Sequence, residues 1–323
     1  MKILITGASG FIGSSFLRRF AGNTDLELYG IGRRSVSGFP ASIRYQTLPL
    51  SQLTQLDFTP DVVIHAAGRT SPWASIKQYQ QDNVETTQQV INFCNQCGFP
   101  RLIFLSSAAV YYRFEHQLNL QESQQLSTAF TNEYGRSKYQ AEQLISSYQG
   151  EKTILRPCAV FGTGDQLLLP PLLAAARKNQ LVRLKNKVMA AQADIMPIEM
   201  LCDYLLRAAY HPQLKSCYNI SAGQPVETEA FLDQVLSQLG LPLPVRTIKL
   251  SNAMRFAGLL EWLWRWLPLS GEPPITRFGV GVFGYTCTLD VAAMYEDFGK
   301  PEEGLQQCLQ AFLQHYRMMN KCC

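Results

Sequence analysis

Through the first half of the chain, short and almost wholly apolar runs alternate with longer stretches whose apolar residues recur at three- and four-residue intervals. The runs are KILIT (2–6), ELYGIG (27–32), DVVIHAAG (61–68), RLIFLSS (101–107) and TILRP (153–157). A strand without polar alternation is covered on both faces, which is the situation inside a parallel sheet. The stretches between them read as helices: FIGSSFLRRFAG (11–22), a segment across about 77–98, and another from Tyr134 to about Tyr148. Alternation of this kind predicts an α/β fold, a doubly wound parallel sheet with right-handed crossovers.

Beyond residue 160 the pattern changes. Prolines at 170, 171, 197, 212, 225, 242, 244, 268, 273 and 274 divide the chain into shorter elements, and SCYNISAG (216–223) reads as one more buried strand. The expected division is a sheet domain over 1–160, rejoined by a strand near 216–221, and a smaller mixed lobe over 161–323 folded back on it. Sheets of this type bind ligands in the cleft at the C-terminal ends of their strands.

Composition narrows the class. The 323 residues are 46% hydrophobic and 17% charged, enough apolar matter for a sizeable core. The 29 basic and 25 acidic residues are spread along the chain without a basic stripe, so no nucleic-acid partner is expected. Met1 leads directly into a strand and a glycine turn, with no apolar leader, so the chain reads as cytoplasmic. Of nine cysteines, Cys94 and Cys97 share a CxxC spacing, but inside a predicted helix and without a second pair, so no metal set is expected. The terminal Cys322-Cys323 reads either as an exposed tail or as a lipidation signal.

Candidate chemistry begins at Thr6-Gly7-Ala8-Ser9-Gly10-Phe11-Ile12-Gly13, three glycines between a strand and a helix. Gly7 permits a tight turn, Gly10 lets backbone approach a pyrophosphate, and Gly13 lets the helix pack closely on the strand. The helix start offers free N–H groups and a positive dipole end, which marks a dinucleotide-binding Rossmann unit. At the end of the second strand a NAD site usually offers a carboxylate to the ribose. Here stands Gly32-Arg33-Arg34-Ser35. Two guanidinium groups suit a 2′-phosphate, so NADP(H) is favoured over NAD(H), against the alternative of a solvated basic turn.

Tyr134-Gly135-Arg136-Ser137-Lys138 sets a tyrosine and a lysine four residues apart, on one face of a helix. A nearby ammonium favours the phenolate and brings a phenol toward acid–base range. Ser106 and Ser107 end the preceding apolar run, where a hydroxyl can meet a substrate carbonyl.

With these motifs in place the chain resembles the extended short-chain dehydrogenase/reductases, also called the NAD-dependent epimerase/dehydratase family. TGASGFIG, DVVIHAAG, the Asn83 segment QDNVETTQ, FLSSAAVYY, YGRSK and LRPCAVFGTGD stand in the family's order and at its distances. The resemblance implies Ser107 as the hydroxyl partner, Tyr134 as the acid–base and Lys138 as its activator and holder of the nicotinamide ribose. It also implies Ala66, Ala67 and Gly68 along the cofactor and Pro157 beside the nicotinamide. Three places depart from the family: Gln46-Thr47-Leu48-Pro49-Leu50 lacks its acidic residue, Tyr112 replaces a glycine, and Met196-Pro197-Ile198-Glu199 replaces a Tyr-Val-x-Asn. Many relatives pair through two helices, which implies a homodimer through 77–98 and 134–148.

LRPCAVFGTGDQLLLPPLLAAARKNQLVRL, YNISAGQPVETEAFL and EPPITRFGVGVFGYTCTLD resemble the 3β-hydroxysteroid dehydrogenase branch, which includes sterol dehydrogenases and 2-alkyl-3-oxoalkanoate reductases. Over 252–269, Phe256, Leu259, Leu260, Leu263, Trp264 and Leu267 recur as one apolar helix face, with Arg255, Glu261 and Arg265 opposite. Three readings of that helix stand: core packing, a lid over an apolar substrate, or peripheral membrane contact. The expected activity is NADP(H)-dependent interconversion of a ketone and a secondary alcohol on an apolar small molecule. A nucleotide-sugar enzyme using Arg177, Lys178, Arg183, Lys185 and Lys187 is one alternative, and a non-catalytic NADP(H)-binding sensor another.

Overall fold

Seven strands of the computed structural model form one parallel sheet: β1 (Lys2–Thr6), β2 (Glu27–Gly32), β3 (Ile43–Thr47), β4 (Val62–His65), β5 (Arg101–Leu105), β6 (Lys152–Pro157) and β7 (Cys217–Ile220). Their order is β7-β6-β5-β4-β1-β2-β3. The chain winds outward from β1 to β3, returns, and winds the other way from β4, so the switch point lies between β1 and β4. The structure describes residues 1–321 apart from 125, 127, 128, 187 and 268, so Cys322-Cys323 and Lys187 lie outside the described residues.

The all-apolar runs follow from two cores. On one face of β1, Ile3 and Ile5 pack with Phe16 and Leu17 of α1 (Phe11–Phe20) and with Leu201 and Leu205 of a later helix, Ile198–Tyr210. On the other face, Leu4 packs with Val90 and Phe93 of α2 (Thr86–Gln96) and with Ala141 and Ile145 of α3 (Glu133–Ser146). Each fully buried side chain of this size contributes about 1.5–3 kcal/mol. β3 was not among the apolar runs because it is the sheet edge; its IRYQT is exposed over much of its length and needs no second apolar face.

The helix expected across 77–98 is interrupted. Ser75 and Gln78 form a capping box over a single turn, Ile76–Tyr79. A wider π turn, Gln80–Glu85, follows and then α2. In the second half, two helices run to 17 residues each in stretches free of proline: α4 (Leu250–Trp266), which the periodicity over 252–269 predicts, and α5 (Leu305–Lys321). Proline stops a helix only from within. Pro170 and Pro171 occupy the first turn of Leu169–Arg177, where a missing N–H costs nothing.

The periodicity in 252–269 gave a helix, but its apolar stripe is split. Leu250, Ala253 and Ala257 are buried and Leu260, Leu263 and Trp264 half-buried, while Phe256 and Leu259 are each 53% exposed. The reason is close approach: a Cβ on Gly284, at the end of helix Arg277–Gly284, would meet the Leu250 side chain at 2.3 Å.

Candidate active site

The glycine loop closes on the end of β4. Gly7 is left-handed (φ +71), and a Cβ there would lie 2.7 Å from the Ala67 backbone. A Cβ on Gly13 would lie 2.6 Å from the Gly7 carbonyl. α1 starts after Gly10 without a side-chain cap, so the N–H groups of Phe11, Ile12 and Gly13 are free of intrahelical partners. That cradle of bare backbone and positive helix end fits a pyrophosphate. Across the switch point, a Cβ on Gly68 would crowd Asn83 Oδ1 at 2.9 Å and Lys138 Nζ at 3.3 Å. Pro157 ends β6 beside Ile220.

A directed hydrogen-bond chain ties these strands together. Thr87 Oγ1 donates to the Asn83 carbonyl at 2.6 Å, so toward His65 Nε2, 3.0 Å away, it can only accept. Nε2 therefore carries the ring proton and Nδ1 accepts from Thr6 Oγ1 at 2.8 Å. Thr6 Oγ1 in turn accepts the Ala67 N–H at 3.1 Å. Burial, helped by the charge on Lys138, brings His65 down to about 3, so the ring is neutral. His65 lay inside an apolar run, and only the proton order of its neighbours reveals its part.

Of the three expected catalytic side chains, Ser107 and Tyr134 share a hydrogen bond, and Lys138 follows one helical turn after Tyr134. Ser107 follows the end of β5 and accepts from the Ala109 N–H at 3.2 Å. Asn132 caps α3, its Oδ1 accepting the Gly135 N–H at 2.7 Å. Gly135 lets the helix start press on the turn after Ser107: a Cβ there would sit 2.7 Å from the Ala109 carbonyl. This contact brings Tyr134 to Ser107. Burial raises the Tyr134 phenol above its ordinary value, and its hydrogen bond with Ser107 pulls it back. Lys138 is 4% exposed and donates to the Leu105 carbonyl at 2.8 Å, over the Phe104 ring. Burial brings its ammonium down to about 8 while Glu142 pulls upward.

Behind them sits a buried polar group that sequence reading missed. Arg156 grips Glu142 with two bonds, Nε at 2.9 Å and Nη2 at 2.7 Å. Ser106 donates to the same carboxylate, and Arg156 also reaches the Tyr111 hydroxyl. Asn83, in the π turn, accepts the Arg69 N–H at 2.6 Å and donates to Ser137 at 2.8 Å. Extra turns of this kind occur often at functional sites.

At the end of β2, Arg34 donates to the Ser9 carbonyl at 2.6 Å and Arg33 pairs with Asp82 at 2.9 Å. Asp82 also holds Arg69 at 2.7 Å. The motif showed no carboxylate here; the fold supplies one from 49 residues away. The cluster thus holds three guanidinium groups, of Arg33, Arg34 and Arg69, and one carboxylate, of Asp82. In the second half, Val182, Leu184, Ile248, Ala253, Phe256 and Val280 line a mainly apolar cavity of about 460 Å³. Arg183, expected as a diphosphate ligand in the alternative reading, is held by Asp233 and Glu229.

The chain belongs to the NAD dependent epimerase/dehydratase family, which it matches over residues 3–221. It is 28% identical over 299 residues to the 2-alkyl-3-oxoalkanoate reductase of Stenotrophomonas maltophilia (strain K279a), covering 86% of this chain and 88% of that one. It is 27% identical over 305 residues to the 4-hydroxy-2-methyl-3-oxo-4-farnesyl-3,4-dihydroquinoline-1-oxide ketoreductase of Stigmatella aurantiaca, covering 90% and 89%. Among solved structures, MoeE5 in complex with UDP-glucuronic acid and NAD has the same fold, with a TM-score of 0.75 at 21% identity over 99% of this chain and 100% of that one.

Proposed function

We propose that the protein is an NADP(H)-dependent reductase that interconverts a ketone and a secondary alcohol on an apolar small molecule. The observation that supports this reading is the hydrogen bond between Ser107 and Tyr134, with Lys138 one turn further along the same helix and its ammonium against Gly68. A bound nicotinamide supplies or accepts the hydride. The chain's own part is proton chemistry. Ser107 and Tyr134 hydroxyls hold the ketone oxygen, Tyr134 delivers the proton, and the buried ammonium of Lys138 stabilises the phenolate left behind. Ala66, Ala67 and Pro157 shape the walls for the nicotinamide half, and Arg33 and Arg34 hold the 2′-phosphate. Relatives named for reducing 2-alkyl-3-oxoalkanoates and a farnesylated quinoline support an apolar substrate.

The test is NADPH consumption with a 3-ketosteroid, a 2-alkyl-3-oxo acid and a nucleotide-4-keto sugar in parallel. Turnover of a greasy ketone that Tyr134→Phe lowers by about 10²–10⁴-fold, with NADPH affinity unchanged, is the expected result. Turnover of the sugar alone overturns the substrate class. Equal loss of binding and turnover overturns the role of Tyr134.

A further inference from the structure

Helix α4 turns an unpartnered face to solvent. Trp262 is 56% and Trp266 72% exposed, with Leu259 and Phe256 beside them and Val245, just before the helix, 90% exposed. Aromatic rings left this open on a folded surface mark a contact surface. The charges of the same stretch are one-sided. Arg246, Lys249, Arg255 and Arg265 are all exposed, and among the described residues none of the four has an ion-pair partner, although the Arg265 guanidinium lies 5.9 Å from the centre of the Trp73 ring. Glu261, the acid of this helix, is half-buried and accepts the Arg277 N–H at 2.7 Å, so no exposed position of α4 is acidic.

We infer that this face docks on an anionic lipid surface, the tryptophan rings at headgroup depth and the four basic residues toward the headgroups. Trp and Leu interleaved with Arg, with no acid at an exposed position, is the composition of a helix lying in the membrane plane. No helix among the described residues is long and apolar enough to cross a membrane, so the contact is peripheral. The unpaired basic charge argues against a second copy of the chain as occupant. A two-fold contact lays the same patch against itself and sets these cations face to face.

Sedimentation of the full chain with phosphatidylcholine vesicles, and with mixed phosphatidylcholine–phosphatidylglycerol vesicles, tests this. Binding to the mixed vesicles is expected, weakened by salt and accompanied by a blue shift of tryptophan emission. Each basic residue near an anionic surface strengthens partitioning about five-fold, so Arg255→Gln with Arg265→Gln weakens it by about 30-fold. Trp262→Ser with Trp266→Ser abolishes the blue shift and most binding while leaving the unfolding temperature and NADPH binding unchanged. Equal or absent binding to both vesicle types overturns the inference. So does a dimer in solution that the tryptophan variant converts to monomer, which assigns the face to a second copy. Neither readout depends on ketone turnover.

Discussion

Lys138 serves two opposed demands. Chemistry needs its charge beside the phenol of Tyr134, while burial disfavours that charge and brings the ammonium down to about 8. Reduction that depends on the ammonium is lost as pH rises through about 8, giving an alkaline limb in kcat that Lys138→Met removes along with the activity. Stability runs the other way. The folded value lies below the ordinary 10.5, so the unfolded chain binds the extra proton, and the charge costs stability below about 8. Lys138→Met is expected to melt higher than the parent at neutral pH, by a margin that shrinks as pH rises from about 8 to 10.5. Thermal unfolding across that range checks it. At the other end of the cleft, Arg33→Ala with Arg34→Ala should weaken NADPH about 10²–10⁴-fold more than NADH, since each of the two charge-assisted bonds is worth about 1.5–3 kcal/mol. Dissociation constants for the two cofactors decide this, and equal weakening returns the arginines to a solvated turn.

Between elements, a few buried polar side chains do what apolar packing cannot, because hydrogen bonds have direction. The sheet and its helices would stack with β1, β4 and α2 slightly displaced, but His65 admits one proton order and one spacing among Thr6, Thr87 and Ala67. His65→Leu leaves the Thr6 hydroxyl without an acceptor and should cost about 1–3 kcal/mol of stability at neutral pH. The pH profile identifies the mechanism. The folded ring titrates at about 3 against an ordinary 6.5, so the unfolded chain takes the proton first as pH falls. The parent therefore loses stability from 6.5 downward, and that part of the slope vanishes in His65→Leu. Denaturant midpoints at several pH values measure it. Glu142 and Arg156 join α3 to β6 in the same manner, setting the helix that carries Tyr134 and Lys138 against the strand that ends at Pro157.

For the molecule as a whole, the cleft depends on how closely backbone meets backbone at the switch point. Gly13→Ala puts a methyl 2.6 Å from the Gly7 carbonyl and must push the loop open. The parent should gain about 2.7 kcal/mol of stability at a hundredfold excess of NADPH over its Kd. Gly13→Ala should gain almost none, which a thermal shift with and without the dinucleotide reads directly. In the second half, Pro170 and Pro171 begin a helix and do not end one.

Much of this was readable from the chain. Strands buried on both faces must be apolar throughout, so β1, β2, β4, β5 and β6 announced themselves, and with them the parallel order. Local motifs carry local geometry, so the glycine loop and the Tyr134–Lys138 spacing, with Ser107 before them, could be named from residues alone. What stayed hidden depends on contacts between distant segments. Asp82 reaches Arg33 only because the sheet brings the π turn beside β2's end, and no carboxylate stands near Arg33 in sequence. The phenol of Tyr134 answers to burial and to Ser107, and burial is a property of the assembled fold. On α4, periodicity identified an apolar stripe, but only packing decided that its Leu260 and Trp264 side turns toward the protein with Ala253 and Ala257 while Trp262 and Trp266 face outward. Sequence determines which residues can be buried; the space left by neighbouring elements decides which of them are.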